Sequence, residues 1–192
     1  MSEPAGGGAP GGVRARNLRT VAALAVLFLL PLGLAFCAYY AGWRPAASVN
    51  HGTLITPPRP LPPLPAGTFR GVWTLVYVGD GSCDADCERA LLVMRQARLA
   101  LNNDMTRVAR VFLATGRCCA PALRGPGNAG LLVLDATGPA AAPVLAQFPA
   151  ARAQAVFVVD PLGNLMMSYD DRKDPHGLLE DLRKLLRLSH IG

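Results

Sequence analysis

Acidic side chains are nearly missing from the first 68 residues, where Glu3 stands alone against five arginines. The stretch 20–43 (TVAALAVLFLLPLGLAFCAYYAGW) has no charge of either sign, and it exceeds the roughly 20 apolar residues that span a bilayer core. That combination excludes an ordinary soluble N-terminal segment. Arg14, Arg16 and Arg19 directly precede the run, so the positive-inside rule puts the N-terminus in the cytoplasm and the rest of the chain outside it. Tyr39, Tyr40 and Trp43 gather at the exit end, as an interfacial aromatic belt does. A cleaved signal peptide is the rival reading. The run is longer than the usual ~7–15-residue apolar region of such peptides, and Ala-Tyr-Tyr-Ala-Gly-Trp is a poor small-residue cleavage site. The expectation is therefore a single-pass anchor in the inner (plasma) membrane with its C-terminal part extracytoplasmic or periplasmic.

A basic face on the folded part is also lacking. The net charge of +6 suggests nucleic acid until it is located. Residues 1–68 hold most of it, whereas residues 69–192 carry fourteen Lys/Arg against twelve Asp/Glu. The basicity is topogenic, and nucleic-acid binding is excluded as a leading function. Internal repeats are absent too.

Four segments follow. Residues 1–19 read as a disordered cytoplasmic N-terminus, Gly/Ala/Pro-rich at its start, and 20–43 as the transmembrane helix. Residues 44–68 include Pro57-Pro58-Arg59-Pro60-Leu61-Pro62-Pro63, which favours extended polyproline II and reads as a semi-rigid tether. Residues 69–192 form an α/β domain. Strands are expected at 73–78, 108–114, 131–134, 156–159 and 165–169, and helices at 88–101 and 140–148, with another opening at Asp174-Pro175. Asp160-Pro161-Leu162-Gly163-Asn164 is a turn with Pro and Gly where a hairpin needs them. Parallel crossovers early, a hairpin late and a closing helix make a thioredoxin-like plan, with helices on both faces of the sheet.

The chemistry concentrates at Cys83 and Cys87, between the first strand and its helix. Side chains four apart share a helix face, so two sulfurs here can close a disulfide or share one soft ion. The helix N-terminus favours a thiolate at Cys83. Asp80, Asp84, Asp86 and Glu88 oppose it, and would suit a cation better than a fast nucleophile. That ranks metal handling, Cu(I) or Zn(II), slightly above rapid disulfide exchange. A permanent disulfide is the bland alternative, plausible in an oxidising compartment but weakly motivated for so short a loop. Cys118-Cys119 in the 115–130 loop receive no specific role, and Cys37 lies in the span.

The anchor, the Pro-rich tether, Cys-x-x-x-Cys entering a helix and a late strand-Asp-Pro-x-Gly turn resemble the Sco (SenC-type) proteins. Gly52-Thr53-Leu54-Ile55 and Pro57-Pro58-Arg59-Pro60 add to the likeness, which covers about residues 50–188. It implies a thioredoxin fold, Cys83 and Cys87 as redox or copper residues, and a role in assembling the binuclear copper centre of cytochrome c oxidase. Implied partners are the copper-bearing oxidase subunit or other copper and thiol carriers. Three departures mark the chain as divergent: Asp84 and Glu88 stand where the family usually has prolines, Cys118-Cys119 are extra, and the family's histidine ligand, eight residues before the Asp-Pro turn, is replaced by Arg152. His51, His176 and His190 are weak substitutes. Two alternatives stay open: an extracytoplasmic thiol–disulfide oxidoreductase with Cys83 attacking and Cys87 resolving, and a non-catalytic thioredoxin-like interaction module.

Overall fold

The computed structural model describes residues 11–43, 50–62, 64, 68–116, 119–149, 155–189 and 191, and divides the chain into two units, Met1–Ser48 and Val49–Gly192. In the first unit, helix α1 runs Gly11–Tyr40 and includes Pro31. Its segment Asn17–Tyr40 is long and apolar enough to cross a membrane, and it presents Leu24, Leu27, Phe28 and Leu34 to its surroundings. The helix begins earlier than the expected disordered 1–19 segment allows. Residues 13–19 alternate arginine with other helix-compatible residues, so the helical backbone continues past the apolar run.

The second unit is built on a six-stranded mixed sheet: β1 Thr53–Pro60, β2 Trp73–Gly79, β3 Val108–Ala114, β4 Leu131–Asp135, β5 Val156–Val159 and β6 Asn164–Tyr169, in the order β1-β6-β5-β2-β3-β4. β2, β3 and β4 are parallel, whereas β5 and β6 form the expected antiparallel hairpin beside β2. The hairpin turn is held by Asp160, whose Oδ1 accepts from the Leu162 and Asn164 N–H groups at 2.9 and 2.8 Å. The chain reverses through Gly163 at φ 91°.

Helices α2 Ala85–Leu99 and α4 Gly177–Leu188 share one face of the sheet; the short helix α3 Ala142–Leu145 packs on the other. Alternation along β2 sorts the two cores: Trp73, Leu75 and Tyr77 meet Leu91, Met94, Leu178 and Leu182, whereas Val76 meets Val111, Val144 and Phe157. Each fully buried Leu or Phe contributes about 1.5–3 kcal/mol. The three-layer thioredoxin-like α/β architecture is as the sequence predicts.

The tether reading needs correction. Residues 53–60 are an edge strand, not a free spacer, and Leu61 and Leu64 are buried beyond it. β1 pairs with β6 through Thr53, Leu54, Arg59 and Pro60, and its register shifts between Leu54 and Arg59. Prolines cannot donate to a ladder, so this segment sits at a sheet edge, and Pro57 and Pro58 fall in the irregular part. A second irregularity lies between β5 and β6. Strand β6 carries an extra residue at Met166, between Leu165 opposite Val159 and Met167 opposite Val158. Met167 is core and Met166 half-buried against the same cluster.

Candidate functional site

The site forms where β2 ends. Gly81 takes φ 88° and Cys83 φ 54°, a left-handed conformation costly for a residue with a Cβ. Asp84 then stops the loop and starts the helix: its Oδ1 accepts the Cys87 N–H at 2.9 Å. These constraints place Cys83 and Cys87 5.0 Å apart at Cα, and their sulfurs are bonded as a disulfide. The two predicted site residues are thus together but not equivalent. Cys87, in the first turn of α2, is buried, whereas Cys83 is half-buried and lines an open cleft of about 210 Å³ with Glu88, Leu91, Leu92, Arg95, Gly127 and Asn128. An incoming group meets Cys83 first.

The acidic surroundings foreseen from the sequence are mostly occupied elsewhere. Asp80 Oδ1 accepts from the Ser82 hydroxyl at 2.7 Å and its N–H at 2.9 Å, and the hydroxyl bond chiefly holds the carboxyl below its ordinary range. Asp84 is the helix cap. Asp86 pairs with Arg89, whose Nε also reaches the buried Asp171 at 3.1 Å. Arg172 approaches Asp86 at 3.9 Å. Glu88 is the acid that lines the cleft. Behind the site, Tyr77 stacks on Phe112, and burial, reinforced by Asp84, pushes its phenol up to about 12.

The loop after β3 is strapped to this turn. Thr115 N–H and Oγ1 both reach the Gly79 carbonyl, at 2.7 and 3.1 Å, and Ala120 N–H donates to the Gly81 carbonyl at 3.0 Å. Gly116 is required there: a Cβ would lie 2.6 Å from the Asp80 carbonyl oxygen. Cys119 packs against the same core as Cys83 and is itself disulfide-bonded. Cys118, Arg152 and His190 lie outside the described residues.

The donor set decides what ion fits. Among the described residues no group of three or more His, Cys, Asp or Glu side chains is arranged to hold a metal. Two sulfurs that reach bonding distance suit two-coordinate Cu(I) carried as cargo; they do not suit a closed tetrahedral zinc site or a histidine-completed Cu(II) site. His176 is exposed at the start of α4. His51 is committed, its Nδ1 2.8 Å from Asp174 and its Nε2 2.9 Å from Glu180.

Three residues escaped the sequence reading. Asp181 is buried on α4 and its Oδ2 accepts from His51 N–H at 2.8 Å, Gly52 N–H at 3.0 Å and Tyr169 Oη–H at 2.9 Å. It stands one turn from Leu178, inside the leucine stripe, which is the signal that marks a buried acid. Asp171 holds Arg89. Arg110 alternates with Val108 and Phe112 on β3 and is buried with them; an arginine at that phase of an apolar strand is the comparable signal.

A family model described as "Transmembrane-like, thioredoxin-like, C-terminal domain" matches residues 73–189. No curated protein matches the sequence. Among solved structures, apo Sco1 from Thermus thermophilus aligns at TM-score 0.55 and 21% identity, over 73% of this chain and 99% of that one. Copper-bound ScoI from Bradyrhizobium japonicum gives 0.45 and 18%, over 61% and 87%. The thioredoxin domain of a thiol-disulfide oxidoreductase from Bacteroides vulgatus gives 0.46 and 14%, over 62% and 83%. At 21% identity the likeness to the Thermus thermophilus protein speaks of fold alone. With its matched segment covering the Cys83–Cys87 turn and strands β2 to β6, the chain belongs to the transmembrane-like, thioredoxin-like family.

Proposed function

We propose that this protein is a membrane-anchored, Sco-like thiol–disulfide factor whose Cys83–Cys87 pair sets the redox state of a partner's cysteines outside the cytoplasm. The observation that carries the reading is the asymmetry of the bonded pair: Cys83 opens on a cleft and Cys87 is buried beneath it. Attack on the Cys83 sulfur forms a mixed disulfide and releases Cys87 as a thiolate. In the reverse direction Cys83 attacks and Cys87 resolves. A purely stabilising bond is poorly motivated, because closing a loop of so few residues removes little chain entropy. The left-handed Cys83 backbone adds to this, since such conformations concentrate at working sites.

The finer assignment is assembly of the copper centre of cytochrome c oxidase, the reduced pair either keeping the copper-bearing subunit's cysteines as thiols or passing Cu(I) to them. The layout of anchor, entry strand and Cys-x-x-x-Cys favours it, as does a donor pair able to grip a soft ion. In this role Arg14, Arg16 and Arg19, ahead of the apolar run, orient the domain to the extracytoplasmic side.

The full-length chain in nanodiscs tests both parts. Reduced wild-type protein, titrated anaerobically with Cu(I), is expected to bind one ion, and Cys83→Ser and Cys87→Ser to lose it. Mixed with a purified oxidase copper subunit whose cysteines are oxidised, wild-type protein is expected to reduce them, and Cys87→Ser to accumulate a mixed disulfide through Cys83. Copper binding equal in all three chains would remove the copper role. Absence of both exchange and trapping would leave only an interaction module.

A further inference from the structure

The turn between β6 and α4 is closed without its buried acid. Asp170 Oδ1 accepts the Arg172 N–H at 3.2 Å, the Asp170 carbonyl accepts the Lys173 N–H at 3.1 Å, and Asp174 Oδ1 accepts the Gly177 N–H at 2.9 Å. Asp171, 5% exposed, turns elsewhere: its Oδ2 accepts the Arg89 Nε–H at 3.1 Å, across to α2. Arg89 also pairs with Asp86, and Asp86 Oδ2 lies 3.9 Å from Arg172 Nη1. Four alternating charges thus join the turn to the start of α2, and Cys87 stands between Asp86 and Arg89 on that helix. Their fields also reach the interior. Tyr77 and Cys87 belong to one buried cluster, and the Tyr77 phenol, raised chiefly by burial, is raised further by Asp84, Asp171 and Asp86 and lowered by Arg89. A buried ion pair adds little net stability over an apolar contact of similar size. Set beside a sulfur that has to leave as an anion, this one has a second use.

Resting on the thiol–disulfide reading above, we propose that Arg89 and Asp171 are positioning residues of opposite effect on the Cys83–Cys87 couple. Arg89 offsets the negative charge that develops on Cys87 as its bond breaks, whereas Asp171 holds Arg89 in place and limits that help. In the reaction a cysteine thiolate of the partner attacks Cys83 Sγ, the Cys83–Cys87 bond breaks, and Cys87 leaves with the electron pair. A second thiolate of the partner then attacks the partner sulfur of the mixed disulfide, and Cys83 leaves as the second thiolate. The partner's dithiol becomes a disulfide, and both cysteines of this chain are reduced and take protons from solvent. The first step is faster the better its leaving thiolate is stabilised, so the charges beside Cys87 set its rate.

The test is the rate at which dithiothreitol, a small uncharged dithiol, cleaves Cys83–Cys87 in the oxidised full-length chain in nanodiscs, quenched by alkylation and read by peptide mass spectrometry. Arg89→Gln is expected to slow cleavage about fivefold and Asp171→Asn to speed it about fivefold, while Arg89→Lys, which keeps the charge, stays within about twofold of wild type. Both Arg89→Gln and Asp171→Asn break the same ion pair, so a merely mechanical pin would loosen in both and speed cleavage in both. Arg89→Gln alters a partly exposed side chain and, with Arg89→Lys as its rescue, decides the matter should Asp171→Asn misfold. Faster cleavage in Arg89→Gln, or a wild-type rate in both single variants, overturns this inference and leaves the thiol–disulfide reading intact. A wild-type pair that dithiothreitol does not cleave overturns both.

Discussion

Asp181 and Arg110 are both charged, both almost fully buried, and both on the face of the sheet that α2 and α4 cover, yet the protein treats them in opposite ways. Asp181, 3% exposed, gathers two backbone N–H groups and a phenol on one oxygen. Arg110, 2% exposed, keeps one hydrogen bond and two idle donors. The first charge is structural: it binds the entry segment at His51 and Gly52 to the last helix. Gly52 itself is needed, since a Cβ there would lie 2.5 Å from the Tyr169 ring. The second charge keeps two inaccessible donors without a partner.

Substitutions sharpen that contrast because their effects have opposite signs. Asp181→Ala strands three donors and is expected to cost about 3–5 kcal/mol in chemical denaturation. Arg110→Met replaces a cation with two unpartnered donors by an apolar side chain of similar length, and is expected to raise stability by about 1–3 kcal/mol. A loss of stability on Arg110→Met would erase the contrast. Tyr169→Phe removes one bond to Asp181 and should cost about 1–2 kcal/mol, read by the same denaturation curves. Its phenol is pushed up from its ordinary value by burial and then by Asp181, so it stays protonated across the working range.

The smallest effect is a pH dependence at the same entry segment. His51 is held between Asp174 and Glu180, and the Asp174 hydrogen bond chiefly raises its pKa above the ordinary 6.5. A raised folded value means the stabilisation is fully present below the unfolded pKa near 6.5 and fades as pH rises through the higher folded one. Stability measured between pH 5 and about 8.5 should therefore lose this component on the alkaline side, and His51→Gln should flatten that part of the profile. An unchanged profile would mean that the ring contributes nothing through its charge.

Much of the fold was legible because local pattern and global packing agree. The apolar runs of β2, β3 and β5, the Asp160–Asn164 turn and the leucine stripe of α4 each point to one structure. The edge strand was not, since prolines at 57, 58 and 60 carry the signature of a spacer; only pairing with β6 reveals them as the permitted margin of a sheet. At the site, the sulfur pair was readable from spacing, but the fate of its acids was not. Asp84 as a cap and Asp86 as an ion-pair partner of Arg89 depend on where loop and helix meet. Arg110 and Asp181 were visible only as charges at apolar phase, and their partners come from segments distant in sequence.

In the proposed function Cys83–Cys87 is a working couple rather than a fixed staple. The direct measurement is a redox titration of the full-length chain in nanodiscs, quenched by alkylation and read by peptide mass spectrometry for each cysteine. The expected two-electron midpoint lies between about −270 and −120 mV, the range of thiol–disulfide exchange proteins. A pair that stays oxidised below about −300 mV, as structural disulfides do, would contradict it.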